Sequence, residues 1–221
     1  MKSDHMTSCN GFTLVELLIA LAISGLLMTG VYTAFKSQQD SYLAQEQVAE
    51  MQQNIRAGLY IMTRDIRMAG FDPQNSLNAG ITLATPNRFG FSRDTDGTGN
   101  TLEIITFGFS NANDSDDDGI ADAGSAPLGR EVNDTGGFQR VAEDIHALEF
   151  RYLDRDGNVT ATLADIRSVQ ISILARARQP DRNYTDSRTY ETASEVNWGP
   201  FDDNFRRRFQ IATVNLRNMG M

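Results

Sequence analysis

The segment that decides the fold is Phe12–Phe35, which reads FTLVELLIALAISGLLMTGVYTAF. Its 24 residues contain one charged side chain, that of Glu16. An α-helix of this length would extend for roughly 36 Å, whereas the hydrocarbon core of a bilayer is about 30 Å thick. The segment therefore predicts a helix that is long and apolar enough to span a membrane.

Two common kinds of apolar N-terminal segment explain this stretch poorly. A secretory signal peptide has an apolar region of about 7–15 residues followed by an A-x-A-like cleavage site. Here the apolar region is longer and no good site of that kind follows it. An ordinary single-pass anchor would not contain Glu16, because a carboxylate in hydrocarbon costs about 2.5–3.5 kcal/mol on insertion scales. Glu16 therefore indicates a further role for the helix.

The residues at the start of this segment form a specific motif. A short polar leader ends in Gly11, an aromatic residue, Phe12, follows, and Glu16 precedes the long apolar run. This pattern resembles the prepilin processing motif of the type IV pilin superfamily. The resemblance implies that a membrane-embedded prepilin peptidase cuts between Gly11 and Phe12, and that Phe12 is then N-methylated. Residues 1–11 would be the cleaved leader.

Cleavage would give Glu16 a partner. The new amino group of Phe12 is a cation at a helix N-terminus, which carries a partial positive charge of its own. In a filament of packed apolar helices, an unpaired Glu16 would be a buried charge. Pairing with the Phe12 amine of an adjacent subunit would remove that penalty and set the register of assembly. Alternatively, Glu16 is protonated or reaches the membrane interface at little cost.

The helix is predicted to continue well past the membrane-length segment. Apolar residues recur at spacings of three and four residues, which is typical of one helix face; they are Ala44, Val48, Met51, Ile55, Leu59, Met62 and Ile66. Gly70 and Pro73 then indicate the end of the helix. We therefore expect a transmembrane or filament-core helix over residues 12–35, its amphipathic continuation over residues 36–69 and a globular head over residues 70–221.

The globular head shows the period-2 alternation of half-buried strands separated by Gly- and Asp-rich loops. The clearest strand candidates are Thr101–Phe109, Ile145–Leu153, Ser168–Ala175 and Phe205–Leu216. The sequence thus predicts an α+β class, in which the long N-terminal helix packs on an antiparallel β-sheet. The superfamily resemblance implies the same arrangement, the type IV pilin fold.

A second resemblance narrows the family. Met62–Phe71, Ile145–Gly157 and the terminal strand with Arg206–Arg208 are similar to PilW-type minor pilins; the J-type minor pseudopilin of type II secretion is a close cousin. The resemblance implies a minor pilin at or near the filament tip that helps to initiate pilus assembly; the alternative within the superfamily is a minor pseudopilin of a type II secretion system. It also implies contacts with other minor pilins, the major pilin and a tip adhesin. The subunit would wait in the inner membrane, with its head in the periplasm, before reaching the cell surface in a pilus.

An Asp-rich loop is the sharpest motif outside the pilin pattern. Asp114, Asp116, Asp118 and Asp122 occupy positions 1, 3, 5 and 9 of a segment with Gly119 at position 6. This spacing resembles a calcium loop, because alternate carboxylates on a turning loop can converge on one ion. Position 12 is Ser125 instead of the glutamate of an EF-hand, and a solvated acidic loop is the alternative. A calcium-dependent binding module is therefore a second functional hypothesis.

Composition excludes several other classes of function. The net charge of −9 gives no general attraction to nucleic acid. The single cysteine, Cys9, falls in the leader, so we expect neither a disulfide nor a zinc cluster. The two histidines, His5 and His146, lack a nearby nucleophile motif in the sequence. We therefore expect a structural protein that is not an enzyme and has no cofactor other than Ca²⁺.

Overall fold

The structure is a computed structural model that describes residues 11–75 and 77–220. The predictions for the leader, apart from Gly11, and for Cys9 and His5 lie outside the described residues. The chain divides into two units, one ending at Gln45 and the other beginning at Glu46. A single helix, α1 (Leu14–Ile66), begins in the first unit and ends in the second.

The first unit contains the apolar part of α1, and its side chains are uncovered. By length and composition this helix could cross a membrane. An exposed apolar surface of this size requires lipid or other protein around it. Thr29 and Thr33 donate their hydroxyl hydrogens to the carbonyl oxygens of Gly25 and Gly30, both at 2.9 Å, so neither hydroxyl would lack an acceptor in lipid. The large exposed apolar residues of the predicted 12–35 segment are Phe12, Leu14, Val15, Leu17, Leu18, Ile19, Leu21, Ile23, Leu26, Leu27, Met28, Val31, Tyr32 and Phe35.

The second unit contains an antiparallel sheet of seven strands in the order β1-β2-β3-β4-β5-β6-β9. Two further strands form a separate hairpin, and a short 3₁₀ helix occupies Leu163–Asp165. The predicted α+β class, a long helix and an antiparallel sheet, is confirmed. The sheet strands are β1 (Ile81–Ala84), β2 (Phe89–Arg93), β3 (Glu103–Gly108), β4 (Ala126–Val132), β5 (Thr135–Leu153), β6 (Ser168–Arg176) and β9 (Arg207–Asn215); the hairpin strands are β7 (Tyr190–Glu191) and β8 (Asn197–Trp198).

The four strands expected from the sequence correspond to β3, β5, β6 and β9, but β5 begins ten residues earlier than expected, at Thr135 instead of Ile145. The first half of β5 pairs with β4 and the second half pairs with β6. The change of partner falls at Asp144, which has a φ of 57°, and at the irregular register between Ile145 and Ala147. The sequence pattern thus predicted only the part of β5 that follows this irregularity and pairs with β6.

The C-terminal part of α1 packs on the sheet through the apolar stripe seen in the sequence. The five stripe residues from Met51 to Ile66 are buried, and Val48 is partly buried against the same core. A Cβ atom at Gly58 would lie 3.2 Å from Ala142 Cβ and 3.3 Å from a methyl carbon of Leu128. The glycine therefore lets the helix approach the sheet closely, and the predicted burial of this stripe is confirmed.

The end of the chain closes off the C-terminal end of α1. The Asn218 side-chain amide donates to the carbonyl oxygens of Arg67 and Ala69, at 3.3 and 3.4 Å. Gly70, with a φ of +73°, follows the last turn, and a Cβ atom there would lie 2.7 Å from Met219 Sδ. The tail thus provides hydrogen-bond donors for carbonyl groups in the turn that directly follows α1.

Candidate functional site

The N-terminus of α1 is organised by a reciprocal pair of hydrogen bonds. The Glu16 backbone N–H donates to Thr13 Oγ1 at 3.2 Å. In return, Glu16 Oε2 accepts from both the Thr13 backbone N–H and the Thr13 hydroxyl, each at 2.9 Å. Since the helix begins at Leu14, this is a capping box with Thr13 as N-cap and Glu16 as the third helical residue. The T-x-x-E pattern of residues 13–16 is the sequence signal for this cap.

The capping box holds the Glu16 carboxylate at the N-terminal end of α1, next to Thr13. Phe12 is 91% exposed, and a Cβ atom at Gly11 would meet no atom within 4 Å. Glu16 is itself exposed. Among the described residues, therefore, nothing covers Gly11, Phe12 or the Glu16 side chain.

The Asp-rich loop folds around the buried carboxylate of Asp114. Its two oxygens accept the backbone N–H groups of Asp118 and Gly119, each at 3.1 Å. One carboxylate oxygen from each of Asp114, Asp116 and Asp122 lies within 4.8 Å of the others. Asp118 is outside this group, and its Oδ1 accepts the Ile120 N–H at 2.7 Å. The structure therefore brings together three of the four carboxylates expected to bind calcium.

The electrostatics of this loop favour a cation. Burial raises the pKa of Asp114, the N–H groups of Gly119 and Asp118 lower it, and the nearby Asp118 carboxylate raises it; the net result is a pKa above the ordinary value. A cation bound beside Asp114 would favour its ionised form and so oppose the effect of burial. Carboxylate oxygens are also the ligands that Ca²⁺ prefers.

The loop is fixed against β5. The Leu148 N–H donates to the Gly119 carbonyl oxygen at 2.9 Å, and Ile120 pairs with Ala147. Gly119 has a φ of +80°, and a Cβ atom there would lie 2.5 Å from the Leu148 carbonyl oxygen. Only glycine fits this position, which is the turn position expected from the motif.

Two further Asp-rich segments, Asp154–Asn158 and Asp94–Gly99, form turns. Asp154 Oδ1 accepts the N–H groups of Asp156 and Asn158, at 2.9 and 2.8 Å, between paired residues Leu153 and Val159. The segment is therefore a tight turn between two paired stretches of chain. Similarly, the two carboxylate oxygens of the buried Asp94 accept the N–H groups of Gly97 and Gly99, at 2.9 and 3.0 Å.

A buried ion cluster that the sequence analysis missed joins α1 to the sheet. Asp65 is 1% exposed and lies in the last turn of the helix. Its Oδ2 accepts from Arg130 Nε on β4 at 2.7 Å, and its Oδ1 lies 3.7 Å from an Arg93 nitrogen on β2. Arg64 also contacts Oδ1, at 3.1 Å. A carboxylate on the buried face of an amphipathic helix is the sequence signal for such a cluster.

A second buried ion cluster contains one of the three arginines Arg206–Arg208, and the three side chains differ in their partners. Asp186 is fully buried and accepts from Tyr190 at 2.8 Å, Arg188 at 3.0 Å and Arg207 at 3.1 Å. Burial raises the pKa of Asp186, but these hydrogen bonds outweigh it and hold the pKa below its ordinary value. Arg206 pairs with Asp181 at 2.8 Å, whereas Arg208 is exposed.

His146 lies beside this second cluster and is held neutral. Its Nδ1 is hydrogen-bonded to the Gly124 carbonyl oxygen, and its ring meets that of Phe201 edge-on with the centroids 4.5 Å apart. Burial lowers the pKa of His146 to about 4, the bond to Gly124 opposes this, and the charges of Arg207 and Arg176 lower it further. His146 is therefore a packed residue of the head in a positively charged setting.

The low pKa of His146 predicts acid sensitivity of the head. Below pH 6.5, His146 binds a proton more readily in the unfolded chain than in the folded chain. The free energy of unfolding therefore falls as the pH is lowered from 6.5 to about 4. The expected loss is about 3 kcal/mol, read from urea unfolding of the full chain in mild detergent by Trp198 fluorescence. His146→Asn keeps a donor for the Gly124 carbonyl and should flatten the curve in this interval. An unchanged pH slope in that variant would contradict the assignment.

Two family models match this chain, one at its N-terminal segment and one in its C-terminal part. The family model of the prokaryotic N-terminal methylation motif matches residues 6–32, which include the Gly11–Phe12 bond and Glu16. The model of Type IV Pilus-assembly protein W matches residues 142–218, which include the second half of β5, β6, the Asp186 cluster and β9.

Among solved structures, a type IV-like pilin from Thermus thermophilus aligns with 76% of this chain and 98% of its own, at 9% sequence identity and a TM-score of 0.47. No curated protein matches the chain. The N-terminal motif implies processing by prepilin peptidase and assembly with other pilins, and together with the apolar helix that follows it suggests membrane anchoring. Both family matches support a type IV minor pilin, with a prepilin motif at residues 6–32 and a PilW-type segment at residues 142–218.

Proposed function

We propose that this chain is a minor pilin that helps to initiate assembly of a type IV pilus and lies at or near the filament tip. The observation that carries the proposal is the presence, in one chain, of the prepilin motif at residues 6–32 and the PilW-type segment at residues 142–218. The first supplies a route into a filament, and the second belongs to a family whose description is pilus assembly.

The proposed pathway begins in the inner membrane. The apolar part of α1 anchors the subunit once, with the head on the periplasmic side, and prepilin peptidase removes residues 1–11. The exposed apolar side chains then exchange lipid for the α1 helices of other minor pilins and the major pilin. The chain acts as a structural subunit, and its head is displayed at the cell surface where a tip adhesin can bind to it.

Deletion of the gene tests this function against the secretion alternative. We expect surface pili to be lost or strongly reduced by electron microscopy, because a filament cannot elongate until its first subunits have assembled. Restoring the gene should restore pili, and secretion of type II substrates should stay normal throughout. Normal piliation with a secretion defect would instead show that the chain is a minor pseudopilin of type II secretion.

We also propose that the Asp-rich loop binds Ca²⁺ through Asp114, Asp116 and Asp122. The convergence of their oxygens within 4.8 Å and the raised pKa of Asp114 support this site. Since only three side chains converge, backbone carbonyls and water would complete the six to eight ligands that calcium takes. Calcium would then link the loop to adhesion at the filament tip.

Calcium is expected to stabilise the full chain in mild detergent. With a dissociation constant of about 10⁻⁴–10⁻³ M, as in extracellular calcium modules, calcium at ten times that concentration adds about 1.4 kcal/mol. Asp114→Asn should abolish the calcium-dependent rise in melting temperature, whereas Asp118→Asn should retain most of it. No rise with the parent chain, or an equal rise with magnesium, would contradict a calcium site.

A further inference from the structure

The two edges of the seven-stranded sheet differ in how they are protected. At one edge, β1 has four residues, its register with β2 shifts between Ile81 and Leu83, and the 3₁₀ helix contacts it. At the other edge, β9 has nine residues and pairs with β6 without interruption from Arg207 to Asn215. Short or irregular edges resist strand addition, whereas long regular ones invite it.

The outer side of β9 is open. An antiparallel strand directs its backbone hydrogen-bonding groups alternately to its two sides, and β6 occupies one side of β9. In the part of the chain that the structure describes, the backbone of residues 208–215 has no hydrogen bond to any segment other than β6. Ile211 is 42% exposed, and Gln210 and Thr213 beside it are exposed as well. The strand contains neither proline nor lysine, which commonly block edges.

Positive charge marks both ends of this open edge. Arg208 and Arg217 are exposed, and neither forms an ion pair within the described residues. Arg206 and Arg207 differ from them because Asp181, Asp186 and Asp203 hold them. In a chain with a net charge of −9, this edge is therefore locally basic. An added strand with acidic side chains near its ends would complement it.

A second copy of the same strand fits this edge poorly. Antiparallel pairing of two β9 strands centred on Ile211 would place residue 217 of one copy opposite residue 205 of the other. Arg217 of one copy would then lie next to another arginine, Arg206, instead of next to an acidic side chain that would complement it. The charge pattern thus favours a different chain as the partner.

We propose that the outer edge of β9 binds an extended acidic segment of another protein by β-strand addition. Backbone hydrogen bonds along residues 208–215 supply the affinity, and Arg208 and Arg217 select acidic residues near the ends of the incoming strand. The exposed Ile211 contacts an apolar side chain at its centre. This inference goes beyond the proposed function and holds whether the filament is a pilus or a pseudopilus.

The test uses the full chain in mild detergent and a synthetic peptide as long as β9, made of alternating valine and threonine with a glutamate at each end. Fluorescence anisotropy should show binding, and a peptide ending in lysines should bind roughly tenfold more weakly. Hydrogen exchange should slow at alternate amides of residues 208–215, which binding elsewhere on the head would not cause.

Three controls decide the outcome. The glutamate peptide methylated at every backbone nitrogen should not bind, because it cannot donate to the edge. Arg208→Glu should weaken binding of the glutamate peptide and strengthen binding of the lysine peptide. Arg155→Glu, at an exposed arginine of the Asp154–Asn158 turn, should change neither. Absence of binding, equal binding of the methylated peptide, or unchanged affinity in Arg208→Glu would overturn the proposal.

Discussion

Replacing Glu16 with alanine is expected to leave membrane insertion intact and to lower the amount of this subunit in sheared pili roughly a hundredfold. The physical reason is that Glu16 lies in the apolar helix and, on the proposed pairing, would be neutralised in a filament by the Phe12 amine of a neighbour. Removing one partner of a buried ion pair costs about 3–5 kcal/mol, which corresponds to two or more powers of ten in an equilibrium constant. Immunoblots of membrane and sheared-pilus fractions measure both quantities.

Two matched variants separate charge pairing from helix capping. Glu16→Gln can still close the capping box with Thr13, because glutamine serves in that position, but it has no charge for the Phe12 amine. It should therefore fail to enter pili as Glu16→Ala does. Thr13→Ala removes the cap, keeps the carboxylate, and should still enter pili. Normal incorporation of Glu16→Gln would show that Glu16 acts only through the helix cap.

Replacing Asp65 with alanine is expected to destabilise the head by about 3–5 kcal/mol, because removing one partner of a buried ion cluster leaves the others uncompensated. Arg130 is the partner most affected, since its Nε lies 2.7 Å from Asp65 and its side chain is only 17% exposed. Arg93 keeps a second partner, Glu103, at 2.8 Å. Urea unfolding of the full chain in mild detergent, followed by Trp198 fluorescence, measures the change.

A double replacement tests whether the loss comes from the unpaired charge. Asp65→Leu combined with Arg130→Met removes both charges and should recover most of the lost stability, because apolar substitutes for a buried pair are often neutral or stabilising. Asp156→Ala, at an exposed carboxylate, should change stability by less than about 0.5 kcal/mol. If Asp65→Ala lowered the stability as little as Asp156→Ala does, the ion cluster of Asp65 would not contribute to the packing of α1 on the sheet.

The sequence predicted the features that obey a simple periodicity. The stripe from Met51 to Ile66 gives one buried helix face, and strands β3, β5, β6 and β9 alternate visibly. β2 was missed because Phe89–Ser92 is buried at every position, so no alternation shows. β4 was missed because Pro127 and Gly129 are typical of loops. Gly129 is needed there, since a Cβ atom would lie 2.4 Å from Phe138 Cβ.

The candidate sites were predictable only as far as their contacts are local. The Thr13–Glu16 cap and the Asp-rich loop each depend on residues close in sequence. By contrast, Asp118 shares the spacing of the other loop aspartates, and only the folded loop shows that its carboxylate turns to the Ile120 N–H instead. The Asp65 cluster joins positions 65 residues apart, Asp65 and Arg130, and no local pattern pairs them.

The account as a whole depends on the new amino terminus at Phe12, and mass spectrometry of the subunit isolated from membranes and pili tests it most directly. Without that amine, Glu16 has no cation to pair with and the helix has no charged end to set its register. We predict a chain that lacks residues 1–11 and begins with an N-methylated Phe12. A functional subunit that still carries Met1 would contradict the account.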